Sequence, residues 1–315
     1  MNPRGEPTHP SLFLVLGLSM ALASGAWSAT MYVTQAGSDE SDCSASSPCA
    51  SLVRATELVA SGDSLVILHV GADDAWLHKL FLTGSREPGR YRGLLVRTGG
   101  DRRDLRGFVS LATTWATDLT PSFASAALAI PNLADALTEQ TGIAASVDRH
   151  VFIGSPHFLQ SPFVYITAAQ AFELTALELR SLGRYLREGG FVFADNALPA
   201  FEFSQAEASL RSMFKRALGN QGRLRRIPDS HTIYRCYYDF NGPPPGWEEA
   251  RPRHILEGVF LEGRLVGLFA DKGYVHHWAQ PFGNEAQIRL GVNAVIYAMQ
   301  QRMKSLQLHL VIRRP

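Results

Sequence analysis

Most of the motifs that announce a chemistry are missing from these 315 residues. There is no H-E-x-x-H, no C-x-x-C and no EF-hand loop, which excludes the usual spacings for zinc, redox dithiols and calcium. Neither G-x-G-x-x-G nor G-x-x-x-x-G-K-[ST] occurs, so the two common glycine-rich phosphate cradles are absent as well. No cofactor and no metal is expected on these grounds. A nucleophile elbow of the G-x-S-x-G type is also lacking. Charge of one sign is not in excess: 30 Lys and Arg stand against 29 Asp and Glu. That balance leaves no electrostatic footprint for nucleic acid or an anionic membrane. The short basic run Arg223–Arg226 reads as a solvated strand face. Beyond the first 30 residues no stretch approaches ~18 uninterrupted apolar residues, so no later membrane span is expected.

What is present begins with an address. Arg4 precedes an uncharged apolar run, Ser11 to Ala23, and small residues follow at Ser24, Gly25 and Ala26, with a second cut possible after Ala29. That is a signal-peptide pattern over residues 1–29, the alternative being an uncleaved anchor. Export, to the periplasm or beyond, makes the three cysteines readable. Cys43 and Cys49 lie six apart in a polar loop and are expected to bridge in an oxidising compartment. Cys236 is left over and is expected to be buried.

Residues 31–68 have a character of their own: Tyr32-Val33, Gly37-Ser38-Asp39, Ser47-Pro48-Cys49, a short helix through Ala55, then Ser61-Gly62-Asp63 leading into a strand. The segment resembles the N-terminal cap of secreted right-handed parallel β-helix proteins. The repeated coils that follow such a cap are missing here, so the resemblance implies a borrowed cap (residues 30–70) and no lyase-like activity.

From about Arg92 strands and helices alternate. "GLLVRTGG" reads as a strand; "PNLADALTEQTG" reads as a helix with Pro131 in its first turn and Gly142 past its end. "PFVYIT" and "FVFADN" are short apolar runs. Between them, Thr175 and Glu178 form a capping box, Leu179, Leu182 and Leu186 make a helical stripe, and Gly189-Gly190 end it. Ser204 and Glu207 repeat the box signal, with Gly219 as the stop. "VFLEGRLVGLF" reads as a hairpin about Glu262-Gly263, and an amphipathic helix follows from about Asn284 to Met303. The alternation gives an α/β domain over 90–306 with a doubly wound, mainly parallel sheet, and a tail over 307–315. In such sheets ligands sit outside the carboxyl ends of strands, here Thr167 and Asp195-Asn196.

The stretch with the most reactive residue types is "RIPDSHTIYRCYYDFNGPPPG", Arg226 to Gly246. Its β-branched and aromatic content reads as a strand. Side chains five apart in a strand face opposite ways, so His231 and Cys236 do not form a dyad. Cys236 then joins Thr232, Tyr234, Tyr238 and Phe240 as an inert buried set. Ser230-His231 precedes that strand in a loop that could turn toward a site or simply satisfy its own backbone. His276-His277 reads as a surface pair, and His150 and His157 have no carboxylate partner nearby in sequence. "RTGGDRRD" (97–104) reads as a plain loop. Asp195 at the end of a buried strand is the strongest candidate for a functional carboxylate, the alternative being a capping role. Arg264 beside Asp271 and Lys272 is open to either substrate binding or internal ion pairing.

With those residues in hand, the chain from about Gly93 to Met303 resembles a bacterial family, domain of unknown function 4159. The matching stretches are "SPFVYITAAQAFELTALELRSLGRYLREGGFVFADN", "IPDSHTIYRCYYDFNGPPPG", "LEGVFLEGRLVGLFADKGYVHHWA" and "RLGVNAVIYAM". The resemblance implies a class I glutamine-amidotransferase-like, flavodoxin-like sandwich. Amidotransferases of that class need a cysteine at a strand-to-helix elbow. The matching turn is Thr167-Ala168-Ala169-Gln170, without a thiol, so glutamine hydrolysis by that mechanism is excluded. The family usually shows "TGHG" at this turn, a departure that points to a different ligand or none.

The resulting expectation is an exported, non-catalytic binding or assembly module of the cell envelope. It would take a small polar ligand or an envelope protein at the sheet's carboxyl edge, through Thr167, Gln170, Asp195, Asn196, Ser230, His231 and Arg264. The alternative is a glycan or ester hydrolase with Asp195 as base and His231 as proton shuttle.

Overall fold

The runs Phe163–Ala168 and Phe191–Asn196 lack any polar alternation, the pattern of strands covered on both faces; all twelve of their residues are buried. The computed structural model describes residues 28–69, 74–199, 204–247 and 255–314. The expected signal segment lies almost wholly outside the described residues. Along the chain the elements are β1 (Thr30–Thr34), α1 (Leu52–Leu58), β2 (Ser64–Leu68), α2 (Ala75–Arg86), β3 (Gly93–Arg97) and β4 (Leu105–Trp115). Then come α3 (Ala124–Gln140), β5 (Ile143–Phe152), α4 (Pro156–Gln160), β6 (Phe163–Ala168), α5 (Ala176–Arg187), β7 (Phe191–Asn196) and α6 (Gln205–Leu218). The chain continues through β8 (Arg225–Arg226), β9 (Glu257–Leu261), β10 (Arg264–Ala270), α7 (Tyr274–Ala279), α8 (Glu285–Leu306) and β11 (His309–Arg313).

The main sheet is α/β and doubly wound. Its parallel strands run β5-β4-β6-β7-β10; β9 is antiparallel to β10, and β8 pairs with β9 at the edge. Numbered by their own sequence order, those five parallel strands lie 2-1-3-4-5, the flavodoxin-like arrangement. β3 pairs antiparallel with the first half of β4. Alternation along β6 and β7 sends Phe163, Tyr165, Phe191 and Phe193 into a core with α3, α7 and α8. It sends Val164, Ile166, Val192 and Ala194 into the opposite core with α5 and α6. The hairpin turns at Glu262 and Gly263, both at positive φ (50° and 79°), as the twist of a two-residue connection requires.

A second sheet is small and wholly parallel, in the order β1-β2-β11. Cys43 and Cys49 are disulfide-bonded, with Cα atoms 4.7 Å apart. Gly37 packs where a Cβ would stand 2.1 Å from the Cys49 carbonyl oxygen, so only glycine fits that turn. Residues 307–315, expected only as a tail, supply β11. They join the chain's C-terminal end to this sheet through His309 N to Asp63 O (3.0 Å). Leu308 and Leu310 enter a core shared with Leu94 and Phe108 of the main sheet.

Three local expectations are corrected. Pro131 is inside α3, seven residues past its first position, because the alanine-rich run before it already supports helix. Ser204 caps α6 by accepting from Glu207 N (3.0 Å), but the Glu207 carboxylate turns to Arg211 instead of closing a box. The stretch after His231 is not a strand. Thr232–Tyr234 forms one 3-10 turn, and residues 235–246 run through turns. The reason lies on α8: the Asn293 side chain donates to Ile233 O and Tyr238 O (both 2.9 Å) and accepts from Tyr238 N (2.8 Å). A single buried amide thus takes the backbone partners that a neighbouring strand would otherwise supply.

Candidate functional site: the switch-point crevice

The order 2-1-3-4-5 reverses between β4 and β6, and the chain leaves these two strands in opposite directions. A doubly wound sheet opens a crevice at that point, outside the carboxyl ends. Here the loop 117–123 after β4 and the loop 169–172 after β6 enclose a cavity of about 400 Å³. Its walls carry hydroxyls and an amide from Thr117, Thr120, Ser122, Thr167 and Gln170, with Phe123 and Phe172 as apolar surface. Asp118 is the one titratable side chain of the described lining, and its Oδ2 accepts from Glu173 N (2.8 Å).

The crevice walls are held from below. Thr175 and Glu178 make the expected capping box on α5. The other Glu178 oxygen reaches across to Thr117, accepting from its N (2.6 Å) and its hydroxyl (2.9 Å). Burial works to raise the Glu178 carboxyl, but the hydrogen bonds from Thr117 and Thr175 outweigh it and hold it below the usual carboxylate range. One carboxylate therefore ties the loop 117–123 to the N-terminus of α5. Thr167 Oγ1 is different. It is shut off from solvent and, beyond its nearness to the Tyr165 phenol, has no hydrogen-bond partner of good geometry.

Of the sequence-derived candidates, Thr167 and Gln170 line this crevice. Asp195 is the cross-strand neighbour of Thr167 but lies behind it, fully buried. Its Oδ2 accepts from Tyr165 OH (3.0 Å) and Val275 N (2.8 Å), among the first amides of α7. Burial pushes this carboxyl up to about 7 despite those donors. Asn196, on the other face, is spent on Leu198 O, Ser204 Oγ and Asp271 Oδ1 at 2.7–3.2 Å. Asp195 thus fastens β6 to the start of α7, and Asn196 fastens the loop after β7 to Asp271.

The remaining candidates lie elsewhere. Arg264 starts β10, at the opposite sheet edge, where it donates to Leu186 O (2.6 Å) and Gly190 O (3.2 Å) at the end of α5. Ser230 is exposed, and His231 packs its ring on Phe260 and Tyr297 while Nδ1 accepts from Ile233 N (3.2 Å). Burial lowers the His231 imidazole below its ordinary value. Phe260 sits on β9, two strands from β7, and registers with Leu265, five residues from the Ala270 that faces Asp195. Two strand spacings alone are about 10 Å. Asp195 and His231 therefore share no cleft, and an acid–base pair between them is ruled out. Cys236 is buried, donates to Asn293 O (3.2 Å), and is pushed up to about 12 by burial, so it stays a thiol.

Sequence reasoning missed β4, and with it the loop 117–123 that forms half of the crevice. The signal was there: "FVSLATTW" is rich in β-branched and apolar residues, and Thr117-Asp118 and Pro121-Ser122 are turn pairs. Among the described residues, no three His, Cys, Asp or Glu side chains stand close enough to hold a metal, and no helix is long and apolar enough to cross a membrane. In comparisons with known proteins, the family described as "Domain of unknown function (DUF4159)" matches residues 111–299, which begin inside β4 and end inside α8. No curated protein matches the chain.

Proposed function

The chain belongs to the DUF4159 family, and from that premise we propose that the crevice between loops 117–123 and 169–172 is the recognition site of an exported envelope protein. Its ligand is a small, uncharged polar group such as a sugar hydroxyl or a primary amide. The observation that carries this reading is the cavity of about 400 Å³ at the switch point, whose described lining gathers Thr117, Thr120, Ser122 and Gln170 from two loops far apart in sequence. Asp118 is the one charged side chain of the described lining, so an anionic ligand would meet no counter-charge there, and the hydroxyls and the Gln170 amide suit an uncharged polar group. The Cys43–Cys49 disulfide supports the oxidising compartment. The finer kinship with class I amidotransferases rests on the sequence resemblance, with which the strand order agrees.

The test is thermal melting of the purified chain against panels of sugars, polyols and amides, beside Thr167→Val and Gln170→Ala. A ligand at 100 times its dissociation constant stabilises the fold by about 2.7 kcal/mol. Stabilisation that is lost in Gln170→Ala supports the assignment. Stabilisation undiminished in both variants would move the site elsewhere.

A further inference from the structure

A hydroxyl and an imidazole meet beside this crevice without any role in the recognition just described. Ser125 is the second residue of α3, and its Oγ lies 2.9 Å from His276 Nδ1 on α7. The other ring nitrogen, Nε2, lies 2.8 Å from the Ala197 carbonyl oxygen. A carbonyl can only accept, so Nε2 carries the proton. In the neutral ring Nδ1 then has its lone pair free and accepts from the Ser125 hydroxyl. That is the logic of a nucleophile, a base, and a third group that fixes the base's tautomer. We propose that Ser125 and His276 form a nucleophile–base pair for transfer of an acyl group from a carboxylic ester.

The surroundings suit that chemistry. Both side chains are partly exposed, so the pair is neither sealed in the core nor loose on the surface. Phe123 occupies the N-cap of α3 and places no side-chain acceptor on the first-turn amides. The amides of Ala124 and Ser125 can therefore face an oxyanion. The rings of Phe123 and Trp247 pack against His276, with centroids 6.1 and 5.4 Å away. Leu128, one turn beyond Ser125, is 51% exposed, and Leu198, next to the orienting carbonyl, is 52% exposed. An apolar acyl chain is the group these four side chains would cover. In the step itself, Oγ bonds to the ester carbonyl carbon while its proton passes to Nδ1. Collapse of the tetrahedral adduct breaks the carbon–oxygen bond, and the leaving alcohol takes the proton. Water then attacks the acyl-serine, gives a proton to Nδ1, and Ser125 takes that proton back as the acid departs.

The test is labelling of the full chain with an alkyl fluorophosphonate, read by intact mass and peptide mapping, alongside hydrolysis of p-nitrophenyl butyrate. The expected result is one adduct, on Ser125, and hydrolysis that disappears in Ser125→Ala. His276→Asn should slow the labelling by about 100-fold or more. A folded chain whose Ser125 stays unlabelled after hours overturns the proposal. So does a folded His276→Asn variant that labels at the parent rate. Labelling of the parent chain decides even where the variant fails to melt cooperatively.

Discussion

At the scale of single residues the fully buried Asp195 carboxyl gives stability a component that weakens as pH rises. Its folded value of about 7 stands above the ordinary 3.8 because burial outweighs the donors around it. Below about pH 4 it is protonated whether the chain is folded or not, and its contribution is fully present. Between about 4 and 7 the unfolded chain releases a proton that the folded chain keeps, so stability falls as pH rises, by up to about 1.4 kcal/mol per unit. Above 7 both states are ionised and the loss is complete. Asp195→Asn has no such proton. Denaturant unfolding at pH 4.5 and 7.5 should show the variant gaining on the parent with rising pH; parallel curves would contradict the assignment. Thr167 is the residue whose meaning changes most between sequence and structure. In the sequence it is a candidate only as the polar end of "FVYIT" at the carboxyl edge of the sheet; the loop after β4 is what turns that edge into one wall of a crevice.

At the scale of elements, α5 and the loop 117–123 are coupled through Glu178, which accepts four hydrogen bonds from Thr117 and Thr175. Glu178→Gln keeps the size but replaces one acceptor oxygen with a donor facing other donors. It should cost about 1–3 kcal/mol by denaturant unfolding and loosen amide protection at Thr117. Unchanged protection there would show that the loop stands without it. The α5 box was legible because its signals lie three residues apart, and β6 and β7 were legible because continuous apolar runs mean double burial. The segment after His231 was not, since its shape is decided by Asn293, some 60 positions away. The crevice was half legible for the same reason. One rim follows a recognised strand, while the other follows β4, whose glycine and serine diluted its pattern. His276 read as a surface residue because adjacent histidines on an extended chain diverge. On the short helix α7, it instead turns toward Ser125.

At the scale of the whole molecule the first and last described strands join one small sheet. β2 is the middle strand of the small sheet, with β1 and β11 on either side, and the Leu306 carbonyl accepts from Ser61 Oγ (2.6 Å) and Gly62 N (3.0 Å). The disulfide-bonded N-terminal unit and the end of α8 thus share one core with Leu94 and Phe108. Removing residues 307–315 strips Leu308 and Leu310 from it. A loss of roughly 3 kcal/mol or more is expected in denaturant unfolding, on the scale of deleted core leucines. A truncated chain as stable as the parent would mean that β11 adds nothing to the fold.

The most direct test of the crevice is hydrogen exchange on the full chain with and without a ligand found by melting. Residues 117–123 and 167–172, which are separate in sequence and face each other only across the switch point, should gain protection together. Protection confined to one of the two loops, or appearing elsewhere while both stay unchanged, would contradict the assignment.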